Sequence, residues 1–290
     1  MRPKTLLAIL LLIPVMYLLF VLNYFPSTFI SFKQLDHFFG TNTFEGKNDA
    51  KNLFNFNQIV YYDYKIPILM YHYVEYNQNK EDFKRDQLNI EPHIFEQQIQ
   101  TLINNNYEFI TANELATIIE STKPNPKNYV VLTFDDGYRD FYTDVLPILK
   151  KYNAKATIYL VYNFLDNPNY LYTWQVNEII DSKLVEIGSH TLNHTYLKGM
   201  TEEIIVNEIN GSKFELENAF NIKINSFAYP YGAYNELTAK LVELAGYTNA
   251  VTTDLGIISN TNNKFILKRI RPGYSTEQGL INYLEKLKEN

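Results

Sequence analysis

At residues 129–137 the chain reads YVVLTFDDG, an apolar run typical of a buried strand that ends in two carboxylates and a glycine. Adjacent residues of a strand point to opposite faces, so Asp135 and Asp136 would normally separate. Gly137 permits a turn that would let both carboxylates face one cavity. A solvated turn has the same pattern, and the motif alone leaves both interpretations open.

From Lys65 onward, short apolar runs alternate with amphipathic stretches. Strands are predicted at Ile66–Tyr71, Tyr129–Phe134, Thr157–Val161, Val185–Ser189, Ser226–Tyr229 and Phe265–Ile270. Helices are predicted from Pro92, at 112–120, and at Phe141–Tyr152, Glu202–Phe220, Leu237–Ala245 and Glu277–Leu287. This alternation predicts an α/β fold with a parallel sheet or barrel, whose functional residues lie at the carboxyl ends of the strands. Such ends carry His72, Asp135, His190 and the turn Pro230-Tyr231-Gly232.

His190 and His194 are two of only five histidines in the chain. One helical turn after the preceding strand would bring both imidazoles onto one face. Two histidines and one carboxylate leave a coordination position open for water, as in catalytic metal sites, and the absence of cysteine excludes thiolate ligands. Histidines at this spacing are as often incidental as ligating. Their occurrence together with the carboxylate pair, each at a predicted strand end, favours a hydrolytic metal site.

The N-terminus predicts a membrane anchor. Arg2 and Lys4 precede an apolar run from Leu6 to Leu22 that is long enough to span a bilayer, with the remainder of the chain outside. No small-residue cleavage pattern follows, so residues 1–25 are predicted as a retained anchor, or as a signal if the protein is cleaved and secreted. Residues 26–64 lack a sustained period and are predicted as a stalk before a catalytic domain at 65–290. The net charge of −6 argues against nucleic acid as a partner.

Three motifs, in this order and spacing, resemble the polysaccharide deacetylases of carbohydrate esterase family 4: TFDDG at 133–137, SHTLNH at 189–194 and FAYPYG at 227–232. The resemblance covers residues 65–285 and implies a distorted (β/α) TIM-like barrel with fewer than eight regular strands. It also implies metal-dependent hydrolysis of acetyl groups on a glycan. The implied roles are general base for Asp135, metal ligands for Asp136, His190 and His194, and an oxyanion-stabilising N–H for Tyr231, which follows Pro230.

The chain departs from the common pattern of this family at two positions. Many members take a catalytic acid from a histidine near the C-terminus, whereas no histidine follows His194 here. His72 ends the first predicted strand and resembles the acid of the poly-β-1,6-N-acetylglucosamine deacetylase branch, with a buried structural histidine as the alternative. Many members also carry an arginine where Ala228 stands. Arg269, or Arg271 as second choice, is the candidate to hold the general base ionised, unless this charged strand faces water.

Sequence and resemblance together predict a membrane-anchored, extracytoplasmic enzyme that removes N-acetyl groups from the poly-β-1,6-N-acetylglucosamine of a biofilm matrix. Peptidoglycan and O-acetylated xylan are alternative substrates, and a non-catalytic glycan-binding surface protein is the alternative of another class. The expected cofactor is a divalent metal, Zn²⁺ first, with Co²⁺, Ni²⁺ or Fe²⁺ as alternatives. Trp174 is a candidate for stacking on sugar rings. Polysaccharide synthesis or export proteins are candidate partners, besides the glycan and the membrane.

Overall fold

Strands and helices alternate along the part of the chain that the computed structural model describes, which comprises residues 65–79, 81–121, 127–258 and 263–289. The predicted anchor (1–25) and the predicted stalk (26–64) lie outside these residues. Within the described ranges, no helix combines the length and the apolar character needed to cross a membrane.

The strands of the described residues are β1 (Ile68–Tyr71), β2 (Tyr73–Val74), β3 (Asn89–Ile90), β4 (Tyr107–Ile110), β5 (Asn128–Phe134), β6 (Ala156–Leu160), β7 (Val185–Ser189), β8 (Ser226–Ala228), β9 (Asn249–Leu255) and β10 (Leu267–Arg269). The α-helices are α1 (Phe83–Leu88), α2 (Pro92–Asn104), α3 (Ala112–Ile119), α4 (Leu146–Tyr152), α5 (Thr173–Asp181), α6 (Glu202–Phe220), α7 (Glu236–Leu244) and α8 (Glu277–Lys288). A π-helical turn, Phe141–Val145, precedes α4, and 3-10 turns occur at Tyr162–Phe164 and Pro230–Gly232.

Seven parallel strands form a ring in the order β1-β5-β6-β7-β8-β9-β10, and β4 pairs with β5 as an eighth parallel strand. The ring closes just after β10, where Met70 N–H donates to Ile270 O and Ile270 N–H donates to Ile68 O, both at 2.8 Å. β2 and β3 pair with each other in a separate two-stranded sheet. The predicted parallel α/β barrel is thus confirmed, although the sheet has eight strands and not the fewer than eight that were expected.

The barrel is a packed core and not a pore, as expected for a ring of this size. Apolar side chains from the strands fill its interior together with Tyr159, whose hydroxyl lies 2.8 Å from Ser226 Oγ. Ser226 Oγ in turn donates to Asn249 Oδ1 at 2.6 Å, so the buried polar atoms are paired. Gly188 makes room for this arrangement, because a Cβ there would lie 2.5 Å from the ring of Tyr159. A larger apolar cluster packs the helices around the outside of the ring.

Local sequence signals explain where several helices begin. Pro92 occupies the first turn of α2, where its missing N–H costs no hydrogen bond. Thr111 and Glu114 form a reciprocal capping box at the start of α3. On α6, the buried residues Ile205, Ile209 and Leu216 recur at helical spacing and bind this helix to the ring.

Each element that the sequence predicted is present, with ends shifted by at most two residues, except that the first five residues of the helix predicted at Phe141–Tyr152 are the π-helical turn Phe141–Val145. The sequence analysis missed β2, β3, β4, β9, α1 and α5. α1 buries none of its residues and therefore has no apolar period to detect. β9 buries polar residues such as Asn249 and Thr252, which do not read as a strand in isolation.

Asp140 attaches the two-stranded sheet to the ring. Its carboxylate is 7% exposed and accepts a hydrogen bond from Val74 N–H of β2 at 2.5 Å. The preceding residue of β2, Tyr73, stacks on Tyr138 with ring centroids 3.7 Å apart. Burial raises the pKa of Asp140 to about 7, because the ionised form is poorly solvated there.

We expect Asp140→Asn to stabilise the protein in a pH-dependent way. The pKa of Asp140 rises from 3.8 to about 7 on folding, so the wild type loses stability as the pH rises between these values. The asparagine resembles the protonated acid and keeps an acceptor for Val74. The difference in unfolding free energy between variant and wild type should be small at acidic pH and reach the order of a few kcal/mol near neutrality.

Denaturant unfolding followed across this pH range measures that difference. Asp181→Asn is the control, since its carboxylate is 80% exposed and its substitution should change stability little at any pH. A pH-independent effect of Asp140→Asn would contradict the assignment.

Candidate active site

The carboxyl ends of the ring strands surround a cleft of about 660 Å³. His72 follows β1, Asp135 and Asp136 follow β5, His190 follows β7, and Tyr231 follows β8. His194 completes the set on the loop after β7. The structure therefore brings together six of the residues that the sequence singled out for catalysis, metal binding and substrate binding.

Asp135 and Arg269 form a buried ion pair across the ring. Arg269 Nη1 lies 2.7 Å from Asp135 Oδ1, and Nη2 lies 2.7 Å from Oδ2, which is a two-pronged contact. Arg269 also donates to Thr252 O at 2.7 Å and to Thr133 Oγ1 at 3.1 Å. Arg269 is 1% exposed, so the alternative of a water-facing charge does not describe it. Burial opposes ionisation, but the guanidinium holds the pKa of Asp135 below its ordinary value.

Asp136 turns its carboxylate into the same cleft because the backbone leaves the strand conformation. Asp136 has φ 73° and Gly137 has φ 77°, two consecutive left-handed residues. A Cβ at Gly137 would also lie 2.9 Å from Leu160 Cδ2, so glycine is required there on two grounds. Burial alone would raise the pKa of Asp136, but the adjoining imidazoles hold it well below its ordinary value.

His190 and His194 converge on Asp136 without the helical turn that the sequence analysis predicted. The segment between them is a loop in which Thr191 has φ 70° and His194 has φ 59°, so that prediction was wrong in its geometry. Nε2 of His190 and Nε2 of His194 lie 3.3 Å and 3.1 Å from Asp136 Oδ1. The left-handed backbone at Thr191 and His194 brings the two imidazoles together. In a helix, the spacing of four residues would have placed them on one face instead.

The other ring nitrogen of each histidine has a hydrogen-bond partner. His190 Nδ1 lies 2.7 Å from Ala228 O, an acceptor only, so Nδ1 carries a proton and Nε2 is the atom left to face Asp136. His194 Nδ1 lies 3.1 Å from the hydroxyl of Tyr231. Metal binding through both Nε2 atoms would require both imidazoles to be neutral with the proton on Nδ1, which these two contacts allow.

These three residues, the candidate metal site, suit a divalent cation. The ligand atoms of Asp136, His190 and His194 all lie within 4.8 Å of one another. Asp136 Oδ1 is buried and has no hydrogen-bond partner among the described residues. A buried carboxylate oxygen between two imidazoles requires positive charge beside it, which either a proton on an imidazole or a bound cation supplies. Two imidazole nitrogens and one carboxylate oxygen are the donors of catalytic Zn²⁺ and related ions.

His72 lies beside the general-base candidate. Its Nε2 is 3.9 Å from Asp135 Oδ2, and its side chain is 13% exposed at the wall of the cleft. Burial lowers the pKa of His72, and the nearby Asp135 and Asp136 charges oppose that shift. Arg271 also lines the cleft, on the solvent side, but Asp135 is bound by Arg269.

Pro230 and Tyr231 form a short turn after β8. Pro230 is buried, whereas Tyr231 is 63% exposed and has φ 59°. The ring of Tyr231 meets that of His194 at 4.6 Å between centroids. Trp174 is not brought to the site: it is 53% exposed on the first turn of α5, contacts Tyr142 edge to face, and is not among the residues lining the cleft.

The sequence analysis missed an aromatic wall and a supporting carboxylate. Tyr73, Tyr138 and Tyr170 stack in succession along one side of the cleft, at 3.7 Å and 5.2 Å between neighbouring centroids. Glu208, on α6, accepts hydrogen bonds from the loop that holds His194. Its position on the buried stripe of α6 was the available signal, since an acidic residue there requires partners.

Comparison with known proteins identifies several relatives of this chain. The polysaccharide deacetylase family profile matches residues 122–250. A Bacillus subtilis (strain 168) protein named as a candidate polysaccharide deacetylase, YxkH, is 34% identical over 213 residues, covering 73% of each chain. The poly-β-1,6-N-acetyl-D-glucosamine N-deacetylase of Escherichia coli (strain K12) is 27% identical over 223 residues, and the match spans 62% of this chain but 33% of that protein.

A solved structure agrees with these sequence matches. The Streptococcus pyogenes deacetylase PplD, in complex with acetate, superposes with a TM-score of 0.72 at 32% identity. The superposition covers 78% of this chain and 99% of PplD. On the strength of the YxkH and PplD matches, together with the motifs at the barrel mouth, this chain belongs to the polysaccharide deacetylase family.

Proposed function

We propose that this protein is a metal-dependent hydrolase that removes N-acetyl groups from an extracellular N-acetylglucosamine polysaccharide, with poly-β-1,6-N-acetylglucosamine as the preferred polymer. The observation that carries the proposal is the candidate metal site, placed beside an ionised carboxylate that Arg269 leaves free to accept a proton. The relative from E. coli supports the choice of polymer by its name. The match covers only a third of the E. coli protein. The choice of polymer is therefore proposed in addition to the deacetylation itself.

The chemistry needs a proton acceptor next to the metal ligands. A divalent cation held by Asp136, His190 and His194 would polarise the acetyl carbonyl and lower the pKa of water. Asp135 accepts the proton of the attacking water. Arg269 occupies one lone pair on each carboxylate oxygen of Asp135, and a carboxylate offers about four, so acceptor positions remain.

The remaining residues act on the substrate. Water oxygen bonds to the acetyl carbon, and the carbon–nitrogen bond then breaks. We assign His72 as the acid that protonates the leaving nitrogen, since an unprotonated amide nitrogen is a poor leaving group. Burial lowers the pKa of His72, so Asp135, which takes a proton from the water and lies 3.9 Å from His72 Nε2, is assigned as the source of the proton that His72 donates. We assign the backbone N–H of Tyr231 as a donor to the carbonyl oxygen as it gains charge. The products are acetate and a sugar amine, which is protonated at neutral pH.

The location of the enzyme is part of the proposal. The apolar run Leu6–Leu22 supports a single-pass anchor with the catalytic domain outside the membrane. A polymer on the cell exterior is reached from that position, and proteins of polysaccharide synthesis or export would be neighbours there. Conversion of neutral acetamides to ammonium groups would increase adhesion of the polymer to anionic surfaces.

Asp135→Asn should abolish acetate release without preventing metal binding. The amide is isosteric and cannot take the proton, and general-base catalysis contributes about 10²–10⁴-fold. Because the substitution leaves buried Arg269 without its anionic partner, thermal unfolding is measured to verify that the variant is folded. The measurement is acetate released by full-length protein from β-1,6-linked N-acetylglucosamine oligomers, with peptidoglycan fragments and acetylated xylan in parallel. Metal content of wild type and variant is determined alongside.

Each outcome of that assay has a consequence. Release from the β-1,6-linked oligomers above the other two substrates is expected. Release only from peptidoglycan or xylan would support the proposed hydrolysis and contradict the proposed polymer. Bound metal with no release from any glycan would contradict the enzyme and favour a glycan-binding protein.

His72→Ala should affect amide and activated ester substrates unequally. If His72 protonates the leaving nitrogen, its loss should reduce kcat on N-acetylated oligomers by about 10²–10⁴-fold. 4-Nitrophenyl acetate has a leaving group that departs without protonation, so its hydrolysis should change little. Asp135→Asn is the matched variant, because removing the base should slow both substrates. Equal losses of His72→Ala on both substrates would argue against the acid role.

A further inference from the structure

A second cavity of about 420 Å³ lies beside the cleft. Tyr231 lines both the cleft and the second cavity, so the two spaces are neighbours at one residue. Nothing in the catalytic assignment uses this second cavity. The side chains that line it include Tyr196, Lys198, Tyr231, Tyr234, Asn235 and Asp254.

Tyr231 stands between the two spaces with most of its ring in solvent. Its ring meets His194 edge to face at 4.6 Å and lies 6.1 Å from the ring of Tyr196 on the side of the second cavity. Tyr231 is 63% exposed and Tyr196 is 47% exposed. The rings of Tyr231 and Tyr196 are therefore accessible to a ligand that extends from the cleft into the second cavity.

The polar groups of the second cavity suit a neutral, hydroxyl-rich ligand. Tyr234 donates its hydroxyl hydrogen to Asp254 Oδ2 at 3.1 Å, which leaves Asp254 Oδ1 as an acceptor. Lys198 supplies a donor at the same cavity. A pyranose ring has apolar C–H faces and a rim of hydroxyls, and a site with aromatic faces beside a few polar groups complements both.

We propose that the second cavity binds the sugar next to the one being deacetylated, so that the glycan chain crosses the ring of Tyr231. This inference rests on the proposed function, because it extends the same substrate by one residue. The neighbouring-sugar site makes the enzyme selective for polymers, since a monosaccharide in the cleft gains nothing from Tyr196 or Asp254. It also makes these two residues determinants of chain-length preference outside the catalytic machinery.

The test is the dependence of kcat/KM on oligomer length for wild type, Tyr196→Ala and Asp254→Asn. On long β-1,6-linked oligomers each variant should lose about tenfold, mainly through KM, because one ring contact or one hydrogen bond is removed. On the shortest oligomer that the wild type hydrolyses, the variants should equal the wild type. Tyr274→Ala is the control, since Tyr274 is 57% exposed and lines neither cavity.

Binding separates this inference from the proposed function. Titration calorimetry of the hexamer into Asp135→Asn, with and without Tyr196→Ala, reports occupancy without turnover. Weaker binding of the hexamer on loss of Tyr196 supports the neighbouring-sugar site. A wild type that binds the hexamer but releases no acetate would count against the proposed function and not against this site. Unchanged hexamer binding, or equal kinetic losses at every length, would overturn the neighbouring-sugar site.

A separate set of contacts concerns the loop that carries His194. Glu208, 5% exposed on α6, accepts from Leu192 N–H and Asn193 N–H through Oε2, each at 3.0 Å. Its Oε1 accepts from Asn193 Nδ2 at 2.7 Å. Leu192 packs on α6 at Gly211, where a Cβ would lie 2.6 Å from Leu192 Cδ1.

We infer that Glu208 is a positioning residue for the candidate metal site. It satisfies two backbone N–H groups that the left-handed turns at Thr191 and His194 leave without a regular partner. The loop conformation that brings His194 to Asp136 therefore depends on a carboxylate that touches neither metal nor substrate. Asn193 Oδ1 already accepts from Asn163 Nδ2 at 2.7 Å, so Asn193 cannot rotate its amide without losing that bond.

Glu208→Gln should weaken metal binding more than it weakens the fold. The amide retains one acceptor oxygen but places N–H groups against Asn193 Nδ2, and loss of such supporting contacts typically reduces metal affinity about 10–100-fold. Calorimetric Zn²⁺ titration and thermal unfolding of the metal-free protein measure the two effects separately. Glu217→Gln is the control on the same helix, where Glu217 Oε1 accepts from Ile224 N–H at 3.1 Å away from the site.

The control should lower thermal stability and leave Zn²⁺ affinity unchanged. If Glu208→Gln lowers stability to the same degree and binds Zn²⁺ with wild-type affinity, Glu208 has only a structural role and the inference is overturned.

Discussion

The buried pair of Asp135 and Arg269 is the interaction on which the barrel mouth depends. The two side chains are 2% and 0% exposed, and an isolated charge in that position would cost several kcal/mol. The cost is offset because the guanidinium finds four acceptor contacts, from Asp135, Thr133 and Thr252, on strands β5 and β9 and the residue after β5. β10 pairs with β9 on one side, with a register shift between Leu267 and Arg269, and the residue after it closes the ring against β1, so the ion pair and the closure of the ring support each other.

Around this pair, the site combines strained backbone with side chains fixed by a second layer of contacts. Asp136, Thr191, His194 and Tyr231 all have positive φ, a conformation that costs on the order of 1 kcal/mol for a residue with a side chain. Hydrogen bonds from the surrounding strands and from α6 hold these conformations in place. The result is a set of one carboxylate and two imidazoles whose ligand atoms converge, next to a second carboxylate that stays available for proton transfer.

How much of this the sequence reveals differs from residue to residue. The apolar run before Asp135 places it at a strand end, because buried parallel strands are continuous apolar stretches. The strand before His190 is less plain, since Val185 and Ile187 alternate there with Glu186 and Gly188. The spacing of His190 and His194 indicates proximity but suggests a helix, since left-handed residues in a loop leave no periodic signal. The sequence around Arg269 is compatible with a side chain that faces the barrel interior or the solvent. Only the pairing of β10 with its neighbours in the structure decides between the two. α1 and β9 escape detection because one buries nothing and the other buries polar residues. The anchor at 1–25 stays a prediction.

The most direct test of the account is a metal titration with acetate release as its readout. Full-length protein is stripped by a chelator, and Zn²⁺ is returned while acetate release from β-1,6-linked N-acetylglucosamine oligomers is followed. Activity should rise in proportion to added metal and saturate at about one equivalent, the number that a single site of three ligands holds. His190→Ala should neither bind the ion nor hydrolyse the glycan, and Asp135→Asn should bind it and remain inactive. Full activity of the stripped protein, or wild-type activity of Asp135→Asn, would contradict the account.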